Sequence, residues 1–309
     1  MMTGFRYKDS DTAIHRLNPF CKLLWMANIL LFALIFNNPV YLLALFLATL
    51  PLVAAARLGK EWLSVMKLTL YLGIAIVLIN MLVSYHGTHI LFEAPFRLPV
   101  AGVPTITLEA AFFGAAMSLR LALIISAFAV INFTVHPDDL LLAMIKMKLP
   151  YKSVLVTSLS TRFIPALVED AQCLSDVQRS RGLELDRGSL GQKIRSRMAI
   201  VIPLLSNSLD RTVQLAEAME SRAFGSGRKR TFYKPIRFAG RDVLALTVGF
   251  LAAALGIFMR LWGYGDYQYY PTLGGIGAGA LEWSLLGLVV LLLLSGVFLA
   301  VGRSEAGLD

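Results

Sequence analysis

Long apolar runs alternate with polar segments along most of this chain. A hydrocarbon core of about 30 Å requires about 20 residues of α-helix, and most of the runs are close to that length. The pattern therefore predicts an all-α, polytopic membrane protein with about six transmembrane helices. The runs cover approximately residues 20–37, 39–57, 63–85, 106–133, 242–262 and 281–302.

A polar block at residues 134–241 interrupts this pattern and contains two long amphipathic segments. In each segment, apolar residues recur at spacings of three and four, which places them on one face of a helix. These faces require cover, either from each other or from another membrane protein. The apolar stripes include Ile164, Leu167 and Leu174 in the first segment and Ile202, Leu205 and Leu209 in the second.

The distribution of lysine and arginine predicts the orientation of the chain. The N-terminus, the 57–67 loop and the polar block are basic, whereas the 86–104 and 263–280 loops have few basic residues. Basic loops remain in the cytoplasm, so both termini are expected there. We therefore expect three regions: a four-span N-terminal transmembrane region at 1–133, a cytoplasmic region of long amphipathic helices at 134–241, and a C-terminal transmembrane hairpin at 242–309.

Composition supports a membrane protein and excludes several other classes. Hydrophobic residues make up 57% of the chain and charged residues 16%, whereas a soluble domain has about 25% charged residues. The net charge of +9 does not indicate a nucleic-acid partner, because the basic residues flank apolar runs at the surface of a lipid bilayer. Cys21 and Cys173 form neither a disulfide framework nor a metal-binding spacing, so we expect no metal and no cofactor.

Both amphipathic segments end on the same short pattern, Ser180-Arg181-Gly182 in the first and Ser221-Arg222-Ala223 in the second. Each arginine could simply complement the dipole at a helix C-terminus. Alternatively, the small residue after it allows another protein to approach, and the guanidinium can then bind a carboxylate in bidentate fashion. The repetition weakens the first interpretation, and the second is favoured only together with the family resemblance given below. Pro165 and Pro203 lie inside the segments, where a proline permits a bend, and we regard both as possible hinges.

Arg120 lies in the middle of the fourth apolar run. Its insertion costs about 2.5–3.5 kcal/mol, so the side chain should face protein and find a partner. It is either a transport residue or an intramembrane structural pin between helices, and the absence of a second charge in the run favours the pin. Asn28, Asn80 and Ser84 are possible partners.

The remaining motifs indicate no chemistry of their own. His86 and His89 could bind a metal, but two histidines without a third ligand are more often ordinary loop residues. The glycine-rich stretch 275–280 follows no strand, so it is not a dinucleotide-binding motif. Because the sequence shows no catalytic triad, paired carboxylates or nucleotide-binding loop, we do not expect an enzyme. Energy for active transport would have to come from a partner.

Several stretches together resemble the transmembrane coupling component, or T component, of energy-coupling-factor transporters, a branch of the ABC transporters. Arg120 also belongs to this resemblance, and the order of the stretches is more specific than any one of them. This chain departs from the family's paired Ala-Arg-Gly-like motifs by its two serines and by Ala223, so Gly225 could take over the left-handed position. The matching stretches are 18–23, 134–140, 149–150, 162–165, 178–182, 203–205 and 218–223.

The resemblance implies a scaffold in the cytoplasmic membrane of a prokaryote. Two ABC-type ATPase subunits would each receive one arginine, Arg181 or Arg222. A small membrane-embedded S component, which captures a vitamin or metal ion, would lie on the apolar stripes. The cargo would be chosen by that component, so this sequence does not specify it.

Two other classes of membrane protein remain as alternatives. An ion-driven secondary transporter usually shows repeated spans and intramembrane carboxylates, whereas the central spans here lack them. Another kind of ABC permease is also possible. A membrane enzyme acting through the polar block has no supporting constellation of residues.

Overall fold

The computed structural model describes residues 12, 14–15, 17–83, 87–93, 105–146, 150–183, 189–227, 240–274 and 279–301. The predicted His86, Ser84, loop residues 94–104 and glycine-rich residues 275–278 lie outside these ranges. The described chain is almost entirely helical, which confirms the predicted class. Its helices are α1 (Pro19–Ile35), α2 (Pro39–Ala55), α3 (Gly59–Val83), α4 (Leu108–Thr134), α5 (Pro137–Lys146), α6 (Tyr151–Ser180), α7 (Leu190–Ser221), α8 (Gly240–Leu261) and α9 (Ala280–Val301).

The chain divides into two compact units. One comprises Met1–Leu140 and Ile236–Asp309, and the other comprises Leu141–Pro235. We call the first the membrane unit and the second the hairpin unit.

Six apolar helices build the membrane unit. Among the described residues, α3, α4 and α8 are long and apolar enough to cross a membrane, whereas the apolar segments Pro19–Ile35, Pro39–Ala55 and Ala280–Gly296 are shorter. Helices α1 and α2 have 17 residues each, or about 25 Å at 1.5 Å per residue. Each begins at an Asn-Pro pair: Asn18 and Asn38 cap the helices by accepting from Phe20 N–H and Val40 N–H, and proline occupies the first turn.

The core of this unit consists mainly of α1, α2, α4, α8 and α9. Phe32, Phe36, Leu42, Leu123 and Met259 are fully buried in it. By contrast, α3 has few buried residues and packs chiefly against α4. The two helices approach closely at Gly114, where an added Cβ would lie 2.9 Å from the Cα of Val77. Small residues at a helix interface permit such an approach in membranes.

A short antiparallel hairpin precedes α4. Its strands are β1 (Ile90–Glu93) and β2 (Thr105–Thr107), which the hydrophobic pattern did not predict. Glu109, in the first turn of α4, is fully buried and accepts hydrogen bonds from the backbone N–H groups of Thr88 and His89. The Nδ1 atom of His89 lies 2.8 Å from the same carboxylate, so the side chains of His89 and Glu109 are hydrogen-bonded to each other.

The hairpin unit consists mainly of α6 and α7, which run antiparallel. Three contacts fix this arrangement: Tyr151 and Phe224 have ring centroids 6.4 Å apart, Arg211 binds Asp170, and Gln178 reaches Ala199. The beginning of α6 therefore lies beside the end of α7, and the end of α6 beside the beginning of α7.

Candidate functional site

The C-terminus of α6 places Arg181 at a defined cap. The N–H of Leu183 donates to the carbonyl of Gln178, and the N–H of Gly182 donates to that of Arg179, each at 3.0 Å. This pair of bonds is a Schellman motif, in which the residue after the cap is left-handed. Gly182 has φ = +83°, which glycine adopts without steric cost. Arg181 is thus the capping residue, and its side chain is exposed.

The C-terminus of α7 repeats this geometry around Arg222. The N–H of Phe224 donates to the carbonyl of Met219 at 2.9 Å, and the N–H of Ala223 donates to that of Glu220 at 2.8 Å. Ala223 itself occupies the left-handed position with φ = +53°, so Gly225, at φ = +96°, does not replace it. Arg222 is therefore the capping residue of α7 and is exposed, in the same place as its counterpart in α6.

The two serines of the repeated pattern also behave alike. Ser180 Oγ donates to the carbonyl of Asp176 at 2.9 Å, and Ser221 Oγ donates to that of Ala218 at 3.0 Å. Each hydroxyl folds back onto its own helix. The two neighbouring arginines are both exposed.

The two arginine caps lie at opposite ends of the antiparallel hairpin. Ala199 of α7 contacts Gln178, which is less than one turn from Arg181. The stretch of α7 from Ala199 to Arg222 measures about 35 Å at 1.5 Å per residue. The hairpin unit thus presents two similar but well-separated cationic ends.

The predicted apolar stripes are only partly covered within the hairpin unit. Ile164, Ile202, Leu205 and Leu209 are each more than half exposed, whereas Leu167, Leu174 and other apolar residues are partly buried. Between the helices a groove of about 720 Å³ is lined by Val168, Ala171, Val201 and Leu204 together with polar residues. A face this apolar is more typical of a surface that binds a partner or lipid than of one that faces water.

Pro203 leaves one carbonyl of α7 without its usual donor. Proline has no N–H, so the carbonyl four residues earlier, that of Ala199, loses its intrahelical bond. Gln178 of α6 approaches that carbonyl with its Nε2 atom at 3.5 Å. The interruption in α7 is therefore partly filled by a side chain from the turn that precedes Arg181. Pro165 interrupts α6 in the same manner.

A salt bridge joins the middle of the two helices. Arg211 Nη2 lies 3.0 Å from Asp170 Oδ2, with the two side chains 41% and 32% exposed. Neither Arg211 nor Asp170 was predicted from the sequence, and Gln178 was named only as part of the stretch 178–182 that carries the family resemblance. The sequence held one signal for these contacts: Pro203 leaves a carbonyl of α7 without a donor. The residue that supplies the donor could not be predicted, because the pairing of α6 with α7 was not known.

Arg120 binds the turn between α1 and α2. Its Nη2 atom donates to the carbonyl of Phe36 at 3.0 Å and to Asn37 Oδ1 at 2.8 Å, while Nε is buried without a partner among the described residues. Asn28 and Asn80, which the sequence suggested as partners, were wrong, and the third suggestion, Ser84, lies outside the described residues. Asn28 instead donates to the carbonyl of Gly249, and Asn80 to that of Ile76.

Residues of the outer loop extend this network. Tyr269 donates its hydroxyl to the carbonyl of Asn37 at 2.6 Å, and burial raises the pKa of Tyr269 to about 12. Asn37 Nδ2 donates to Asp266 at 3.2 Å, and Arg260 lies at the same distance from that carboxylate. The hydrogen bond from Asn37, aided by Arg260, lowers the pKa of Asp266.

Comparisons with known proteins agree with these features. The family model described as CbiQ, cobalt transport protein, matches residues 10–233. The energy-coupling factor transporter transmembrane protein EcfT of Bacillus selenitireducens is 29% identical over 268 residues, which cover 84% of this chain and 97% of that protein. The EcfT protein of Streptococcus thermophilus is 32% identical over 262 residues, with coverages of 82% and 96%.

A third relative has a different name. A putative ABC transporter ATP-binding protein of Bifidobacterium longum is 28% identical over 259 residues, which cover 80% of this chain but 32% of that protein. Its similarity to this chain is therefore confined to one part of a longer protein.

The apolar helices and the extent of these matches define a multi-pass membrane protein of a prokaryotic transport system. The chain belongs to the CbiQ family, as a transmembrane T component of the energy-coupling-factor type, which confirms the resemblance found in its sequence.

Proposed function

We propose that this chain couples ATP hydrolysis by two ABC-type ATPase subunits to the movement of a membrane-embedded S component. Each ATPase subunit binds one of the arginine caps, Arg181 or Arg222. The S component lies on the exposed apolar stripes of α6 and α7. ATP hydrolysis belongs to the partner subunits, and this chain transmits the resulting motion.

The repeated cap geometry is the observation that carries this proposal. Two exposed arginines occupy the same position in the same Schellman motif, so one kind of acidic socket fits both. Their separation of about 35 Å along α7 leaves room for two subunits to bind at once. The Bifidobacterium relative, which is named as an ATP-binding protein, also supports a partnership between a chain of this kind and an ATPase.

The other predicted residues have supporting roles in the proposal. Pro165 and Pro203 act as hinges that let the two helices bend as the ATPases close. Arg120 is a structural pin, since its guanidinium binds a backbone carbonyl and an asparagine of a neighbouring turn. This arrangement favours a pin over a relay for transported ions.

The proposed placement is the cytoplasmic membrane, with the termini and the coupling helices in the cytoplasm and a bilayer around the membrane unit. The cargo is a vitamin or a metal ion selected by the S component. The description of the matched family as a cobalt transport protein makes Co²⁺ the first ion to test.

The direct test is co-purification. We expect the double variant Arg181→Ala, Arg222→Ala, tagged and expressed in its host, to lose its ATP-binding subunits. Truncating one partner of a desolvated charge pair at a protein interface costs about 2–5 kcal/mol, so each single variant should bind markedly less. The measurement is the ATPase activity recovered per mole of tagged chain in nanodiscs.

Arg162→Ala is the matched control, because Arg162 is exposed on α6 and lies 19 residues before Arg181, about 28 Å along the helix at 1.5 Å per residue. It should retain native ATPase recovery. Native recovery by the double variant would falsify the docking role of the two caps.

A further inference from the structure

Four buried polar residues meet at one end of the membrane unit. Asn18 and Lys22 belong to the beginning of α1, Thr134 ends α4, and Asp242 lies in the first turn of α8. All four are at most 9% exposed. Burying a polar group costs free energy unless the group is hydrogen-bonded or paired with an opposite charge.

The side chain of Lys22 donates a hydrogen bond to the C-terminal end of α4. Its Nζ atom donates to the carbonyl of Thr134 at 2.8 Å and to that of His15 at 3.0 Å. The last carbonyls of a helix have no intrahelical donor, and a cation there also complements the helix dipole. Asp139 is near enough for its negative charge to act on Lys22. A buried lysine thereby holds the end of α4 against the beginning of α1.

Asn18 makes the corresponding contact with α8. Its Oδ1 atom accepts the N–H of Phe20 as the cap of α1, while its Nδ2 atom donates to Asp242 Oδ2 at 3.4 Å. Cys21 adds a contact of 3.7 Å from Sγ to the carbonyl of Asp242. The carboxylate of Asp242 lies in the first turn of its own helix, where it complements the positive end of the dipole.

These contacts join the two places where the chain leaves and re-enters the membrane unit. Residues 135–241 lie between Thr134 and Asp242 in sequence and include the whole hairpin unit. We infer that Asn18 and Lys22 form a fixed clamp that holds the end of α4 and the beginning of α8 together while the coupling helices move. The two residues are positioning residues, and the inference rests on the proposed function.

A clamp has a mechanical purpose in such a protein. Motion that enters through the hairpin unit would be dissipated if its two attachment points could separate. If the two points stay at one distance, the movement of α6 and α7 is transmitted to the S component that is proposed to lie on them. The clamp therefore predicts a constant distance across the junction throughout the ATPase cycle.

Spin labels across the junction test this directly. Asn132 and Val243 are exposed positions of α4 and α8, so the labels are placed on Asn132→Cys and Val243→Cys. The exposed Cys173 is replaced by serine, and Cys21 is buried. The chain is measured by electron paramagnetic resonance in nanodiscs, within its complex with the ATP-binding subunits. We expect one narrow distance distribution that is the same without nucleotide and after trapping with ATP and vanadate.

Asn18→Asp is the informative variant, with Asn38→Asp as its matched control. Aspartate caps a helix as well as asparagine does, but at position 18 it places a second carboxylate against Asp242. Asn38 caps α2 with the same bond, and within the described part of the chain its side chain forms no hydrogen bond with a carboxylate. We expect Asn18→Asp to broaden the distribution and to make it shift on ATP trapping, whereas Asn38→Asp remains like the native chain.

Lys22→Met and Lys22→Arg give a second comparison. The methionine variant should broaden the distribution, and the arginine variant, which restores a cationic donor, should return it towards the native width. If Lys22→Met does not insert or fold, the aspartate pair decides alone. A junction distance that shifts on trapping in the native chain would overturn the clamp, as would identical distributions for Asn18→Asp and Asn38→Asp.

The clamp and the proposed function can fail separately. If no ATP-binding subunit co-purifies with the native chain, the coupling function fails, but the nucleotide-free widths of the aspartate variants still test the contacts. If the subunits bind and the caps behave as proposed while the junction distance changes, the clamp alone is wrong.

Discussion

Arg211 of α7 forms a salt bridge with Asp170 of α6, with 3.0 Å between Nη2 and Oδ2. It is the contact that fixes the register of the two helices near their middle. Because both side chains are about one-third exposed or more, water screens the pair, and its contribution to stability is about 0.2–1 kcal/mol.

The first prediction concerns this pair. Asp170→Arg should place two cations together and reduce the stability of the hairpin unit, and the double variant Asp170→Arg, Arg211→Asp should recover most of the loss. A double-mutant cycle on the thermal unfolding of the detergent-solubilised chain measures the coupling. Additive effects of the two substitutions would show that the pair does not set the register.

The second prediction concerns the interruption at Pro203. Pro203→Ala restores an N–H for the carbonyl of Ala199 and should slow amide exchange over this part of α7, with a gain of up to about 3 kcal/mol in local stability. Gln178→Leu should then matter less than it does in the native chain, because the carbonyl no longer needs the donor from α6.

Hydrogen exchange with mass spectrometry on the four chains, native, two single variants and double variant, provides the measurement. Equal effects of Gln178→Leu with and without Pro203 would contradict the link. Pro51→Ala in α2, a membrane-unit helix that also contains an internal proline, serves as the control for a general effect of removing a proline.

The third prediction uses the difference between the two caps. Ala223 holds a left-handed backbone that costs an L-residue about 1–2 kcal/mol, so Ala223→Gly should raise the stability of the hairpin unit by about 1 kcal/mol. Gly182→Ala should lower it by a similar amount, since an added Cβ there meets no atom within 4 Å and only the backbone conformation matters.

Thermal unfolding of both variants provides this comparison. The result expected is a pair of shifts of opposite sign, with ATPase recovery unchanged by Ala223→Gly. Shifts of the same sign would contradict the shared cap geometry. Gly191→Ala, at an exposed position in the first turn of α7 with no neighbouring atom and no left-handed φ, controls for the substitution itself.

The fourth prediction concerns Arg120. Arg120→Met should leave the buried carbonyl of Phe36 with one bond fewer, at a cost of about 1–3 kcal/mol, and Asn37→Ala should remove the other acceptor. Because Asn37 also binds Asp266 and Tyr269, the two substitutions should be strongly non-additive in thermal unfolding. Retained ATPase binding with reduced stability would agree with a structural pin. Unchanged stability with lost transport would instead indicate a transport residue.

The fifth prediction is a dependence on pH at the outer loop. The hydrogen bond from Asn37 lowers the folded pKa of Asp266 below its ordinary value of 3.8. The carboxylate therefore stabilises the folded protein fully above that value, and this stabilisation is lost as the pH falls through the lower folded pKa. Between about pH 5 and pH 2, Asp266→Asn should flatten the decline in thermal stability. Glu217→Gln, on the exposed surface of α7, should leave the decline as it is.

The sequence predicted the helical membrane class and the two amphipathic helices, because both follow from periodicity and hydrophobic length. It also placed the two arginine patterns at helix ends, but its suggestion that Gly225 could take over the left-handed position from Ala223 was wrong. Which residue is left-handed depends on where α7 ends. Backbone preference alone disfavours alanine in a left-handed conformation.

Contacts between distant segments could not be derived in the same way. Arg120 was correctly expected to need a partner. Its partner Asn37 could not be predicted, because Asn37 lies in the turn between α1 and α2, and the lengths of those two helices determine where that turn lies. Likewise, Lys22 and Asp242 are 220 positions apart, and only the packing of α1 against α8 brings their helix ends together. Periodicity identifies faces of helices and does not identify which faces meet.

The depth of Arg120 has a consequence for how the protein is made. The residue lies in the thirteenth position of α4, about 18 Å from the first residue of the helix, and its acceptors belong to the turn between α1 and α2. That turn is synthesised before α4, so the hydrogen-bond acceptors for Arg120 are already present when α4 inserts into the membrane. Circular permutants that begin at α3 would reverse this order of synthesis and should be degraded more rapidly in the cell.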